Sequence, residues 1–289
     1  MKLNKSKLKI GIIGSNGFIG ENLCQFFKNK KVNTIIFPSF KKNKKNWIKN
    51  VSIYIKKKKP DIIINCSSSQ LFTDDEKSIK ELINSNITSQ SIFLKKASEN
   101  KNFKGYISFG SKSEYNEHGD FKPLNFYGVT KYAVDYIFKF FSQEFNLTIV
   151  SLKLFDTYGV NDKRKKIINL LLNNYKQNRT LALTPGNQTL DFVHIRDICD
   201  LINLICKDIL KKKIYGFNKF TVSSKKPIKL KNLVKILKQK LKKKLKAELG
   251  KKKYRHKELM KSSTKYYNYP NWKIKTNLVN ELIKIFDKY

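Results

Sequence analysis

KIGIIGSNGFIGENL, Lys9 to Leu23, is the stretch that decides how the rest of the chain is read. It begins as an apolar run and passes through Gly14, Gly17 and Gly20 into residues with helical spacing. Three residues without a Cβ, placed where a strand hands over to a helix, let the backbone approach a phosphate closely. The helix start adds unpaired N–H groups and the positive end of its dipole. The stretch therefore predicts a nucleotide-binding turn built from Gly14, Ser15, Asn16, Gly17, Phe18, Ile19 and Gly20.

Working outward, four more apolar runs follow: NTIIFPS, DIIINCSSS, GYISFGS and TIVSLKLF, separated by segments of helical periodicity. Strands that are apolar on both faces and alternate with helices belong to a parallel sheet covered on both sides. The predicted class is α/β, a doubly wound parallel sheet of the Rossmann kind, with a smaller mixed C-terminal lobe. Beyond the fifth strand the pattern predicts a helix over 167–178 and a turn at Pro185-Gly186. A strand then runs into a helix capped by Asp197, a second capped helix follows Val222, and a last amphipathic helix spans Leu278 to Phe286.

The 289 residues, 40% of them hydrophobic, suffice for a sizeable core. No run approaches the roughly 20 apolar residues of a membrane span, and MKLNKSKLKI leads directly into a strand, so a cytoplasmic protein without a membrane partner is expected. Cys24, Cys66, Cys199 and Cys206 lack metal-ligand spacing and read as reduced structural thiols, with no metal site. The net charge of +39 comes almost entirely from lysine, with Arg164, Arg179, Arg196 and Arg255 the four arginines. Scattered over the whole chain, it reads as a lysine coat rather than a specific nucleic-acid site, and it creates a field that attracts anionic substrates. A non-catalytic, polyanion-binding role is the alternative from another class, with the lysine runs at Lys56–Lys59 and after Leu237 as its candidates.

Two further motifs carry chemistry. In YGVTK, Tyr127 and Lys131 are spaced to share one helical face, where an ammonium stabilises a phenolate and lowers the tyrosine pKa from about 10. In FGSKSEYN, Ser111 follows an apolar strand, where its hydroxyl can bond the same substrate oxygen. At the second strand no acidic residue lies between Glu21 and Asp61, so nothing matches the carboxylate that binds a ribose 2′-hydroxyl. Ser39, Lys41 and Lys42 suit a 2′-phosphate instead, which makes NADP(H) the preferred cofactor and NAD(H) the alternative.

In this order the motifs resemble those of the extended short-chain dehydrogenase/reductases, the NAD-dependent epimerase/dehydratase family, over nearly the whole chain. GSNGFIG resembles the cofactor loop, PDIIINCSSS the fourth strand, and Asn86 in NSNITSQSIF the helix asparagine. LKLFDTYGVND, PGNQTLDFVHIRDICD and LGKKKYRHKELMKS with Asn271 and Trp272 resemble three later family segments. The tail, FDTYG and LDFVH look most like the branch of CDP-abequose and CDP-paratose synthases, which reduce a 4-keto sugar nucleotide. The resemblance implies Ser111, Tyr127, Lys131 and Asn86 as catalytic residues and Cys66 and Ser67 beside the nicotinamide. It also implies Ser113, Phe155, Asp156 and Arg255 as substrate contacts and a homodimer through two helices.

It divides the chain into a cofactor domain (1–158 and 190–222) and a nucleotide-sugar lobe (159–189 and 223–289). The implied function is reduction of a CDP- or dTDP-linked 4-keto-deoxyhexose in surface-polysaccharide (O-antigen) sugar synthesis, with a 4-epimerase retaining NAD as the alternative. Departures bear on this reading. Lys112 and Ser113 stand where dehydratases carry an acidic pair, which argues against a 4,6-dehydratase. Lys153, Asp156, Val160 and Leu190 replace the usual Arg, Asn, Pro and Arg.

Overall fold

The computed structural model describes residues 8–40, 45–255, 257–261 and 267–288. All five predicted runs are strands. The chain passes through β1 (Lys9–Ile13), α1 (Phe18–Asn29), β2 (Asn33–Ile36), α2 (Trp47–Lys58), β3 (Ile62–Asn65), α3 (Glu76–Ile83), α4 (Ser89–Ser98), β4 (Gly105–Ser111), α5 (Phe126–Glu144) and β5 (Thr148–Leu154). It continues through β6 (Asp156–Tyr158), α6 (Ile167–Lys176), β7 (Leu181–Ala182), β8 (Thr189–Leu190), β9 (Phe192–His194), α7 (Ile195–Leu210) and β10 (Phe217–Val222). β11 (Ile228–Lys229), α8 (Leu230–Lys240), β12 (Ala247–Glu248) and α9 (Leu278–Phe286) complete it.

Among the described residues the central sheet has six strands in the order β10-β5-β4-β3-β1-β2, all parallel. The two-residue period of a strand decides what covers each face. Ile10, Ile12, Ile62, Ile64, Ile107, Phe109, Val150 and Leu152 face α1 and α7. Ile13, Ile63, Tyr106 and Ile149 face α2, α4 and α5. Each fully buried aliphatic side chain contributes roughly 1.5–3 kcal/mol, so the two layers hold the sheet from both sides. A third apolar cluster joins α6, α8 and α9 through Leu171, Leu233, Leu237, Leu282 and Phe286.

β1 lies between β2 and β3, so the connections after β1 and β3 leave in opposite directions and open a crevice at the strands' C-terminal ends. PDIIINCSSS, matched above to a fourth strand, is the third strand here. Between β2 and β3 the described chain holds α2 and no strand, and too few residues remain for another strand and helix.

Two caps differ from expectation. Asp197 sits inside the first turn of α7 and accepts hydrogen bonds from Lys275 and Thr276, while the Nδ1 atom of His194 accepts from the amide of Arg196 and caps the helix. α8 has Lys229 at its N-cap position and no side-chain cap.

Candidate active site

The three glycines of the first turn do three different jobs. Gly14 has φ +79° and packs so tightly on the end of β3 that a Cβ there would lie 2.6 Å from the amide nitrogen of Ser67. Gly20 sits against the Gly14 carbonyl, with which any Cβ would collide. Gly17 is ordinary extended backbone, and a Cβ on it would meet only the Gly14 oxygen, at 3.4 Å, before pointing into the main cleft. That open cradle, at the N-terminus of α1, fits a dinucleotide diphosphate.

Asn16 donates to Ser39 Oγ at 2.9 Å, tying the end of β2 to the turn, and Ser15 Oγ donates to Asn16 Oδ1 at 3.4 Å. Lys41 and Lys42 lie outside the described residues.

Ser111 ends β4, and Tyr127 and Lys131 occupy the first two turns of α5, whose N-cap Asn125 accepts from the Gly128 amide at 3.0 Å. The glycine after Tyr127 has a local reason. A Cβ at Gly128 would collide with the Ser113 carbonyl, so only glycine lets α5 abut the short turn Lys112–Glu114. Ser111 Oγ accepts from the Ser113 amide at 3.1 Å, and its hydroxyl also hydrogen-bonds the Tyr127 phenol.

Lys131 is buried, donates to the Phe109 carbonyl at 2.9 Å, and stands 5.9 Å from the centre of the Tyr127 ring. The expected lowering of the phenol pKa does not occur. Burial pushes Tyr127 up to about 12 and the carboxylate of Glu114 adds to the rise, against hydrogen bonding to Ser68 and Ser111 and the charge of Lys153. Burial also takes Lys131 down to about 8. Desolvation is the largest cause for both groups.

A cleft of about 680 Å³ connects the glycine turn to this pair. Gly17, Phe18, Ile19, Cys66 and Ser67 line it on one side, and Ser111, Ser113, Tyr127, Lys131, Phe155, Asp156 and Arg255 on the other. Asp156 holds Lys112 at 2.5 Å, so the ammonium beside Ser111 is paired. Leu190 lines the cleft, whereas Lys153 is buried behind it against Glu114 and Asp135.

Asn86 does not reach the cleft. It sits in a π-helical turn, donates to Ser69 and Thr130, accepts from Ser68 and Ser69, and is fully buried. All four cysteines are unpaired thiols.

Sequence reasoning missed Arg164 and Lys166. The Arg164 guanidinium lies 4.3 Å from the Phe18 ring centre, donates to Asp162 and Thr157, and lines the cleft with Lys166, whose pKa burial lowers. The available signal was the rarity of arginine and the DxR spacing from Asp162 to Arg164. Among the described residues no group of histidines, cysteines and carboxylates could hold a metal.

A doubly wound sheet with a glycine cradle at its switch point defines a dinucleotide-binding α/β protein. The chain belongs to the NAD dependent epimerase/dehydratase family, whose pattern matches residues 10–216. Over 144 residues it is 31% identical to a CDP-abequose synthase of Yersinia pseudotuberculosis, a match covering 50% of each chain. In fold it is similar to MoeE5 in complex with UDP-glucose and NAD, with a TM-score of 0.82 at 14% identity, over 96% of this chain and 97% of that one. It is also similar to a UDP-glucuronic acid 4-epimerase of Bacillus cereus bound to UDP-glucuronic acid and NAD, with a TM-score of 0.78 at 19% identity, over 97% and 99% of the two chains.

Proposed function

We propose that this protein reduces the 4-keto group of a CDP- or dTDP-linked deoxyhexose with NADPH, as a step in building surface-polysaccharide sugars. The observation that carries this reading is the convergence of Ser111, Tyr127 and Lys131 on one cleft that begins at the glycine cradle. The partial likeness to a CDP-abequose synthase supports it.

The residues that would hold the cofactor are Gly14–Gly20, Ser39, Cys66 and Ser67, with Lys131 on the ribose; when bound, NADPH supplies the hydride. Tyr127, a neutral phenol far above neutrality, is in the protonation state a donor to a carbonyl oxygen needs. Ser111, hydrogen-bonded to the Tyr127 phenol, orients that oxygen with its hydroxyl. Lys131 keeps a positive charge below about pH 8 at the cleft beside Tyr127. After Ser111 come an ammonium and a hydroxyl, and Glu114 turns inward to the Ser111 amide and Lys153, so the acid–base pair of a dehydratase is missing from this turn. Arg164, Lys166 and Arg255 supply positive charge for the substrate diphosphate.

NADPH is preferred over NADH because the end of β2 carries Ser39 and no carboxylate. Asn86, buried and saturated, acts through the shape of its helix turn. The proposed lobe for the nucleotide sugar is 159–189 with 223–289, which contributes the third apolar cluster. A homodimer through α4 and α5 is part of the reading, supported by exposed Tyr136 and Phe140 on α5. No helix among the described residues is long and apolar enough to cross a membrane.

A 4-epimerase that retains NAD is the second reading, favoured by the NAD-bound 4-epimerase among similar folds. The deciding experiment follows NADPH absorbance with CDP- and dTDP-linked 4-keto-6-deoxy and 3,6-dideoxy sugars. Stoichiometric oxidation is expected, while interconversion of the sugar without net oxidation points to the epimerase. Tyr127→Phe should fold and bind NADPH like the parent but lose about 100-fold or more in turnover. Retained turnover removes Tyr127 from the proposed role.

A further inference from the structure

Behind the cleft lies a buried charged cluster that the proposed reaction does not use. Lys153, on β5, places its ammonium 2.6 Å from Glu114 Oε2 and 2.7 Å from Asp135 Oδ2. Glu114 Oε1 accepts the amide of Ser111 at 2.6 Å, and the Ser111 hydroxyl closes a reciprocal capping box on the same turn. Asp135 lies on α5, one turn beyond Lys131, and its other oxygen accepts from Ser151 Oγ at 2.8 Å.

Lys153, Glu114 and Asp135 are at most 3% exposed. A buried triad of this kind is poor evidence for added stability, because desolvation cancels much of its attraction. Its geometry is specific all the same. The cluster joins the end of β4, the turn after it, β5 and α5, the elements that carry Ser111, Tyr127 and Lys131. Gly110, just before Ser111, leaves the space it fills, since a Cβ there would strike Lys153 and Glu114.

We propose that Glu114, held between Lys153 and the Ser111 amide, is a positioning residue that sets Ser111 against Tyr127, with Lys153 and Asp135 locking its strand turn to α5. The inference rests on the reductase reading for its kinetic consequence and on geometry alone for its structural one. The Lys153 side chain serves the cluster and does not line the cleft.

The charged and titratable groups facing the cluster are Tyr115 beside the turn and Tyr127, Lys131 and Tyr132 on α5. Burial raises the Glu114 carboxyl against the pull of Lys153. Burial alone would lower Lys153, but Glu114 and Asp135 win and hold it protonated.

The test compares Lys153→Met, Lys153→Arg and Glu114→Gln with the parent. The readouts are thermal unfolding, NADPH affinity by fluorescence, turnover of the keto-sugar nucleotide, and the titration of Lys131 by NMR of labelled lysine, its signal identified by loss in Lys131→Met. Lys153→Met should lower kcat by about tenfold or more and leave NADPH affinity within about twofold, and Lys153→Arg should restore turnover. Glu114→Gln removes a negative charge near Lys131, so the Lys131 midpoint should fall below its position near 8.

If Lys153→Met does not fold, the charge-free variant Lys153→Met with Glu114→Gln and Asp135→Asn replaces it, with the same loss of kcat expected. A folded variant with parental kcat, together with an unmoved Lys131 midpoint, overturns the proposal. If the parent itself oxidises no NADPH with any of the sugars, the reductase reading fails instead, and the Ser111 amide resonance decides the positioning role without a substrate: it shifts in Glu114→Gln if Glu114 holds that N–H, and an unmoved resonance overturns the role.

Discussion

Gly17 and Gly20 stand three residues apart and look alike in the sequence, yet they predict opposite experimental outcomes. Gly17→Ala adds a methyl group whose only close neighbour is the Gly14 oxygen, at 3.4 Å, on ordinary extended backbone. Its stability should stay within about 0.5 kcal/mol of the parent, while affinity for a nicotinamide dinucleotide should drop because the methyl group enters the glycine cradle. Gly20→Ala drives a Cβ into the Gly14 carbonyl and should destabilise by about 1–3 kcal/mol, as overpacking does. Thermal unfolding and fluorescence titration on the two variants separate these effects, and equal loss of stability in both would refute the division of roles. Tyr127 gives the matching lesson for charge. Its spacing from Lys131 correctly placed both groups in one cleft, but spacing carries no information on burial, and burial sends the phenol up rather than down.

At the scale of single elements, α7 illustrates how a cap is chosen by neighbours. The sequence offers Asp197 as the cap, but the chain from Lys275 to Thr276 packs across the helix start and takes both carboxylate oxygens. The cap passes to His194, a buried imidazole whose pKa is lowered to about 4 by burial and by the charge of Arg196. In the unfolded chain it titrates near 6.5, so between those values the unfolded state binds more protons and stability falls as the pH drops. Urea unfolding at pH 7 and pH 4.5 should show this loss, and His194→Asn, a neutral cap, should remove about 1–2 kcal/mol of it. An unchanged pH slope in the variant would mean that other groups carry the acid sensitivity. The same scale explains the absent family strand: a strand exists only if enough chain separates its neighbours, and α2 takes up the length available between β2 and β3.

Over the whole molecule the dominant quantity is a net charge of +39, from 61 basic and 22 acidic residues. Such an excess strains the compact state by self-repulsion. Raising the salt from about 0.05 to 0.5 M, which shortens the screening length to well below about 10 Å, should therefore raise the unfolding temperature, equally for NaCl and KCl. A flat or falling response would show that the lysines are already neutralised by local partners. The same field favours anionic substrates over neutral ones, in keeping with a nucleotide-linked sugar.

The sequence by itself determined the alternation of strands and helices, the glycine turn, and the order in which Ser111, Tyr127 and Lys131 appear. These are matters of periodicity and local backbone freedom, written in neighbouring residues. The tertiary structure alone decided that Asn86 is sealed inside, that Arg164 reaches Phe18, that Lys112 pairs with Asp156, and that Lys153 joins Glu114 and Asp135 behind Ser111. Each of these depends on which distant segments share a boundary and on how much water remains there. Desolvation and long-range pairing are properties of the packed chain, and no spacing along it encodes them.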